Sequence, residues 1–174
     1  MGADGMKGES PESSADGGPF VEVVDPQCED ALRAMGEYFA ELDRRFRSGF
    51  DPGDTLVADA DELREPSGVF LLARLARDGT VVGCGGLWQL APGIGEIKRM
   101  WVASEARGKG VGGLLLRSLE DHARRRHFNT VRLDTNGELT TAIAMYRKRG
   151  YRKVEAYNDN PFAEHWFEKT LGNL

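Results

Sequence analysis

Four glycines fall within six positions, Gly108, Gly110, Gly112 and Gly113, between a strand-like segment ending at Val102 and a leucine run beginning at Leu114. Glycine lets the backbone approach a ligand closely and turn successive N–H groups toward one point. The helix predicted to follow, as far as Arg126, opens with unpaired N–H groups at the positive end of its dipole. A strand, a glycine loop and a helix N-terminus in that order make a site for phosphate. Charge points the same way. From Glu96 to Arg126 eight basic residues stand against four acidic ones, a local +4 in a chain of formal charge -5.

The segments around this loop alternate between strand and helix patterns. Phe20–Val24 reads as a short strand, followed by Asp25 as a helix N-cap with Pro26 at the first helical position. Leu32, Met35, Phe39, Leu42 and Phe46, spaced by three and four, predict one apolar stripe of an amphipathic helix. Residues 48–66 are Asp-rich and read as a loop with a short helix. Two apolar runs, Gly68–Ala76 and Val81–Trp88, flank Asp78-Gly79 and predict an antiparallel hairpin. A turn at Ala91–Gly93 leads to a strand over Ile94–Val102. A strand at Thr130–Asp134, a helix from about Leu139 to Arg149 capped by Gly150, and strands at Tyr151–Tyr157 and Phe162–Lys169 complete the order. Strands on both sides of crossover helices imply an α/β fold with a mixed sheet.

At 174 residues and 40% hydrophobic content, one domain with a real core is expected. Residues 1–19 contain five Gly, three Ser and two Pro and carry -3, which reads as a disordered acidic tail ahead of a domain over 20–174. The tail thus holds most of the net acidity. That overall acidity disfavours a nucleic-acid binder relying on bulk electrostatics. Cys28 and Cys84 form neither a disulfide framework nor a CxxC metal motif, and no metal is expected. With no signal-like start and no apolar run long enough to span a bilayer, the expectation is a cytoplasmic protein without membrane partners.

Three classes of phosphate loop compete for the glycines. A Walker loop requires Ser or Thr after GxxxxGK, and here Gly110 follows Lys109. Gly108, Gly110 and Gly113 spell GxGxxG, with Asp134 near the offset of a ribose contact, so a dinucleotide-binding oxidoreductase stands as an alternative. In that fold, however, the first Gly follows its strand directly, whereas Ala103–Arg107 intervene here. The third pattern is R-x-x-G-x-G, Arg107-Gly-Lys-Gly-Val-Gly112. Further along, Ala142-Ile-Ala-Met-Tyr-Arg-Lys-Arg-Gly-Tyr151 follows A-x-x-x-Y-x-x-x-G-[FY]. These two spaced signatures resemble the GNAT superfamily of acetyl-CoA-dependent N-acetyltransferases, and the resemblance spans most of the chain after the tail. It implies the GNAT fold, a mixed and mostly antiparallel sheet of about six or seven strands flanked by helices. A non-catalytic acyl-CoA-binding or sensing domain is the other alternative.

The resemblance implies roles for particular residues. Acetyl-CoA, as co-substrate, would be held by Met100, Trp101, Val102, Arg107, Gly108, Lys109, Gly110, Val111, Gly112, Gly113, Asn136 and Tyr146. The backbone from Arg107 to Gly113 would take the pyrophosphate, with the Arg107 side chain closing over it. The pantetheine arm would lie along Met100–Val102, with the Met100 N–H as oxyanion donor. Tyr146 would protonate the departing thiolate, and Glu96 would serve as general base, directly or through water. Strand alternation puts Glu96, Met100 and Val102 on one face. Leu139 stands where many members of the family carry Asn, and Asn136 is the nearby substitute. The acceptor is expected to be a primary amine of a small molecule or peptide, attacked directly in a ternary complex, since neither cysteine has an adjacent His to activate it. Acidic residues Asp51, Asp54, Asp59, Asp61 and Glu62 would form an attractive rim for a cationic amine. A homodimer is compatible with the resemblance.

Overall fold

The computed structural model describes residues 17–53 and 55–173. Most of the expected acidic tail, residues 1–16, lies outside them, as does Asp54. The elements run β1 (Pro19–Val24), α1 (Glu29–Arg45), α2 (Thr55–Glu62), β2 (Gly68–Leu75), β3 (Val81–Ala91), β4 (Ile94–Val102), α3 (Val111–Arg125), β5 (Thr130–Thr135), α4 (Thr140–Lys148), β6 (Arg152–Val154) and β7 (His165–Thr170). They form one sheet of seven strands in the order β1-β2-β3-β4-β5-β7-β6. Every neighbouring pair is antiparallel except β4 and β5.

β2 shows why the sheet is a middle layer. Its apolar run does not alternate, which suits a strand covered on both faces. Val69, Leu71 and Ala73 pack with Leu115, Leu116 and Leu119 of α3. Phe70 and Leu72 point the other way, among Ala34, Met35, Phe39 and Leu42 of α1. The sheet thus has an α1 face and an α3 face, each with its own apolar cluster.

Several local expectations shift. The first helix begins at Glu29, not at Pro26. Asp25 instead closes a turn, accepting from the Gln27 N–H at 2.8 Å and taking a bidentate bond from Arg64. Consequently Ala31 and Ala34 fill the core face of α1, and Leu32 is 43% exposed. The segment expected as a strand to Tyr157 stays on the sheet edge only over Arg152–Val154, and the last strand opens at His165. Residues 155–164 leave the edge to cross the sheet, because their polar side chains find acceptors there.

The feature that shapes the site is the central parallel pair. β4 and β5 are in register only from Ile94–Thr130 to Glu96–Arg132. Beyond that point β4 continues to Val102 and β5 to Thr135 without pairing, so the sheet opens into a cleft. A bulge in β4 lies at the opening. Arg99 has φ 58, and the β3–β4 register slips between Cys84–Trp101 and Gly86–Lys98. Gly85 opposite the bulge is closely covered: a Cβ there would stand 2.8 Å from Met100 Sδ and 2.9 Å from Leu119 Cδ1, so both side-chain ends would have to shift.

Arg99 is fastened by Asp59 of α2 through Nε at 2.8 Å and a second guanidinium nitrogen at 3.1 Å, and its charge lies over the Phe39 ring. Asp59 is 1% exposed. Removing the acid would leave a largely buried guanidinium without its counter-charge. Asp59→Ala is therefore expected to lower stability by about 3 kcal/mol, the low end for a broken buried pair. For a domain of this size the melting temperature should fall by roughly 6–12 °C, which a calorimetric scan will show.

Candidate active site

The bulge redistributes the side chains of β4. Lys98 donates to Glu62 at 2.7 Å and Arg99 binds Asp59, so two consecutive residues face α2. Glu96 lies on that same α1 face, bonded to Trp88. Met100 and Val102 pack on the α3 cluster, and Trp101 returns to the α1 face, its indole donating to Glu41 at 3.1 Å. The expected single face for Glu96, Met100 and Val102 is thus overturned. Glu96 stands on one side of the sheet and Met100 and Val102 on the other, because the bulge adds one residue to the alternation.

At the end of β4, a short 3-10 turn (Ser104–Ala106) leads into the glycine loop. Gly108 and Gly110 adopt φ 77 and 82, the left-handed region that costs other L-residues about 1–2 kcal/mol. Gly110 is the N-cap of α3, whose first N–H groups have no intrahelical acceptor. Gly112 and Gly113 are there for approach, since a Cβ at Gly112 would stand 2.9 Å from Met145 Sδ. The loop borders a cavity of about 440 Å³ lined by Met100, Trp101, Val102, Arg107, Gly108, Gly110, Val111, Gly112 and Gly113, with α4 opposite. Nearly all the expected cofactor residues meet here. Lys109 is exposed and does not line the cavity. The Arg107 guanidinium turns back to Glu41 and to the Val102 carbonyl, tying the loop to α1 and β4.

A second cavity, of about 590 Å³, occupies the opening between β4 and β5 on the α1 side. Tyr38 of α1, Met100 of β4 and Tyr146 of α4 line both cavities, so this is where the two meet. Tyr146 is 5% exposed and packs on Tyr151 and Phe167. Burial drives the pKa of its phenol well above the ordinary value. Burial likewise pushes Tyr38 up to about 12. Both hydroxyls therefore remain protonated through the physiological range, as donors. Tyr38 was not singled out from sequence. Its spacing marks only the edge of the apolar stripe of α1, and nothing local distinguishes it from a surface tyrosine.

Glu96 and Asp134 face the second cavity. Glu96 accepts from Trp88 Nε1 at 2.8 Å and from the Tyr157 hydroxyl at 2.7 Å. Asp134 accepts from the Asn158 and Asn160 amides at 2.6 and 3.2 Å. Asp134 lines only the second cavity and the glycine loop only the first, so the spacing that suggested a ribose contact does not bring them to one cavity. Asn136 also lines the second cavity, but its amide is engaged internally, donating to the Phe162 carbonyl at 2.8 Å and accepting from the Glu138 N–H at 2.9 Å. It braces the loop ahead of α4 and does not reach the first cavity. The expected acidic rim is largely neutralised: Asp59 and Glu62 are consumed by Arg99 and Lys98, and Asp51 caps the Gly53 N–H. His165 stacks on Phe167, and its Nδ1 has no partner among the described residues.

The first cavity suits an elongated phosphate-bearing ligand: open left-handed glycines, a helix N-terminus and a free channel toward Tyr146. The mostly antiparallel sheet removes the dinucleotide alternative, which needs a parallel one. Residues 35–151 match the model of the acetyltransferase (GNAT) family. The chain is 39% identical over 119 residues to an IAA acetyltransferase of Azospirillum brasilense, covering 68% of this chain and 76% of that protein. It is 32% identical over 125 residues to the N-alpha-acetyltransferase RimI of Mycobacterium tuberculosis, covering 70% of this chain and 75% of that one. The fold matches the crystal structure of a GNAT family acetyltransferase from Elizabethkingia anophelis with acetyl-CoA bound, with a TM-score of 0.65 at 17% identity, covering 90% of this chain and all of that one. By signature, sheet topology and sequence similarity alike, the chain belongs to the GNAT family and is an acetyl-CoA-dependent N-acetyltransferase.

Proposed function

We propose that the protein acetylates the primary amine of a small molecule or peptide by direct attack within a ternary complex. The observation carrying this reading is the meeting of two cavities at Tyr38, Met100 and Tyr146. One cavity suits the cofactor and the other the amine, so both substrates can be present with no relay between them. A cysteine relay is a poor alternative. Cys84 is fully buried, its thiol raised by desolvation and engaged with the Arg99 carbonyl, and Cys28 lines neither cavity.

The backbone N–H groups from Arg107 to Gly113 would hold the pyrophosphate of acetyl-CoA, helped by the dipole of α3. Acetyl-CoA supplies an acyl group already activated as a thioester. Met100 lines the junction, and its backbone N–H would serve as an oxyanion donor. Tyr146 holds a proton at Oη beside the same point and is the acid of the site. Glu96 is the proton acceptor of the amine cavity. Each of its oxygens already takes one hydrogen bond and keeps one further lone pair for a water or the amine.

Incubation with acetyl-CoA and a panel of amines should release free thiol in an acceptor-dependent manner. Binding of acetyl-CoA with no turnover on any amine would instead identify a sensing domain. Tyr146→Phe is expected to lower turnover by about tenfold or more, within the range for a lost general acid. Its acetyl-CoA affinity should stay within about twofold, and an unchanged turnover would remove Tyr146 from the mechanism. Gly110→Ala forces a left-handed L-residue into the loop, and should weaken acetyl-CoA binding by about tenfold in a titration.

A further inference from the structure

The amine cavity contains an electrostatic imbalance. The cations lining it are already matched by acids behind them, Lys98 by Glu62 and Arg99 by Asp59. Its carboxylates are not. Among the described residues neither Glu96 nor Asp134 is in an ion pair, and their hydrogen bonds come from an indole, a phenol and two amides, all neutral. Such donors orient a carboxylate without cancelling its charge, and each oxygen keeps a lone pair. In a partly enclosed cavity that charge is poorly screened and selects for a cation.

The other wall is aromatic and equally well braced. Phe50 lies 4.7 Å from Phe162, ring centre to ring centre, and Phe46 lies 6.2 Å from Phe162. The Asp43 carboxylate accepts the Phe50 N–H at 2.9 Å, folding that loop back onto α1. Asn160 links the two walls: its amide donates to Asp134, while its oxygen accepts the Phe162 N–H at 3.0 Å. The anion and the aromatic surface are thus held at one spacing by one side chain. Burial first, and the charge of Asp134 in smaller part, raise the phenols of both Tyr38 and Tyr146. Asp134 is thus within electrostatic reach of both junction tyrosines, and also of Tyr157, whose hydroxyl is bonded to Glu96.

We propose that the acceptor is a primary amine, cationic at neutral pH, carrying an aromatic or branched apolar body, with its ammonium seated on Asp134 and its body against Phe50 and Phe162. The proposal rests on the acetyltransferase reading above and names the substrate class of the same site. The ammonium replaces water at Asp134 with a charge-assisted hydrogen bond beside Tyr146; before attack it gives one proton to Glu96, directly or through water, so that the free amine is the nucleophile. An acceptor bearing a carboxylate next to its amine meets uncompensated negative charge and is disfavoured.

Calorimetric titration of the full chain with three probes sharing one phenylethyl body tests this without turnover. The probes are 2-phenylethylamine, a cation, 2-phenylethanol, neutral, and 3-phenylpropionate, an anion. The amine should bind, the alcohol should bind about tenfold more weakly, the difference made by one charged hydrogen bond, and the anion should show no binding. Asp134→Asn removes the charge while keeping an acceptor for one of the two amides, and should bring the amine down to the level of the alcohol. A titration of the variant with acetyl-CoA checks that its fold and loop are intact. The proposal is overturned if the anion binds as tightly as the amine, if none of the probes binds, or if Asp134→Asn leaves the amine-to-alcohol ratio unchanged. Those outcomes with acetyl-CoA binding retained leave the acetyltransferase reading standing; loss of acetyl-CoA binding by the unmodified chain would remove that reading itself.

Discussion

The bidentate pair between Arg99 and Asp59 holds the point on which the site depends. Arg99 sits at φ 58 in the middle of a strand, a conformation that an arginine adopts only when its surroundings enforce it. α2 enforces it by presenting a buried carboxylate, and α1 adds the face of Phe39. With Arg99 turned toward the helices, Met100 is turned away from them and borders both cavities. A regular β4 would have carried its alternation through and left the opening between β4 and β5 differently lined.

The two cavities are made by different means. The cavity at the glycine loop is bordered by backbone features: left-handed glycines, a helix N-terminus, and a strand end secured where Glu41 takes bonds from both Trp101 and Arg107. The second cavity is made of side chains delivered from far apart in sequence. α1 and its following loop contribute aromatic residues, β4 and β5 contribute carboxylates, and residues 155–164 lie across them through Tyr157, Asn158 and Asn160. A backbone site tolerates side-chain change and suits a ligand shared across a family. A side-chain site can be altered one residue at a time and suits the variable partner.

The elements and their order were legible in the sequence because periodicity and turn residues are local signals. The Asp78-Gly79 hairpin, the Gly150 stop and the glycine loop all lie where their patterns put them. The loop residues and Tyr146 converge as the two motifs imply, since both motifs are short and continuous. What failed was whatever required a partner in space. Alternation along β4 could not register a bulge set by Asp59 some forty residues earlier. Asn136 could not be separated from a cofactor contact without Phe162. The acidic rim dissolved because its charges had counterparts on β4.

The sequence by itself thus determined the fold class, the glycine loop and the place of Tyr146 on its helix, all carried by contiguous residues whose spacing dictates their geometry. Tertiary structure alone decided the face each β4 side chain takes, the meeting of the two cavities, and which carboxylates keep their charge. Those properties belong to pairs of residues distant in the chain, and a charge acquires its meaning only when its neighbours in space are known.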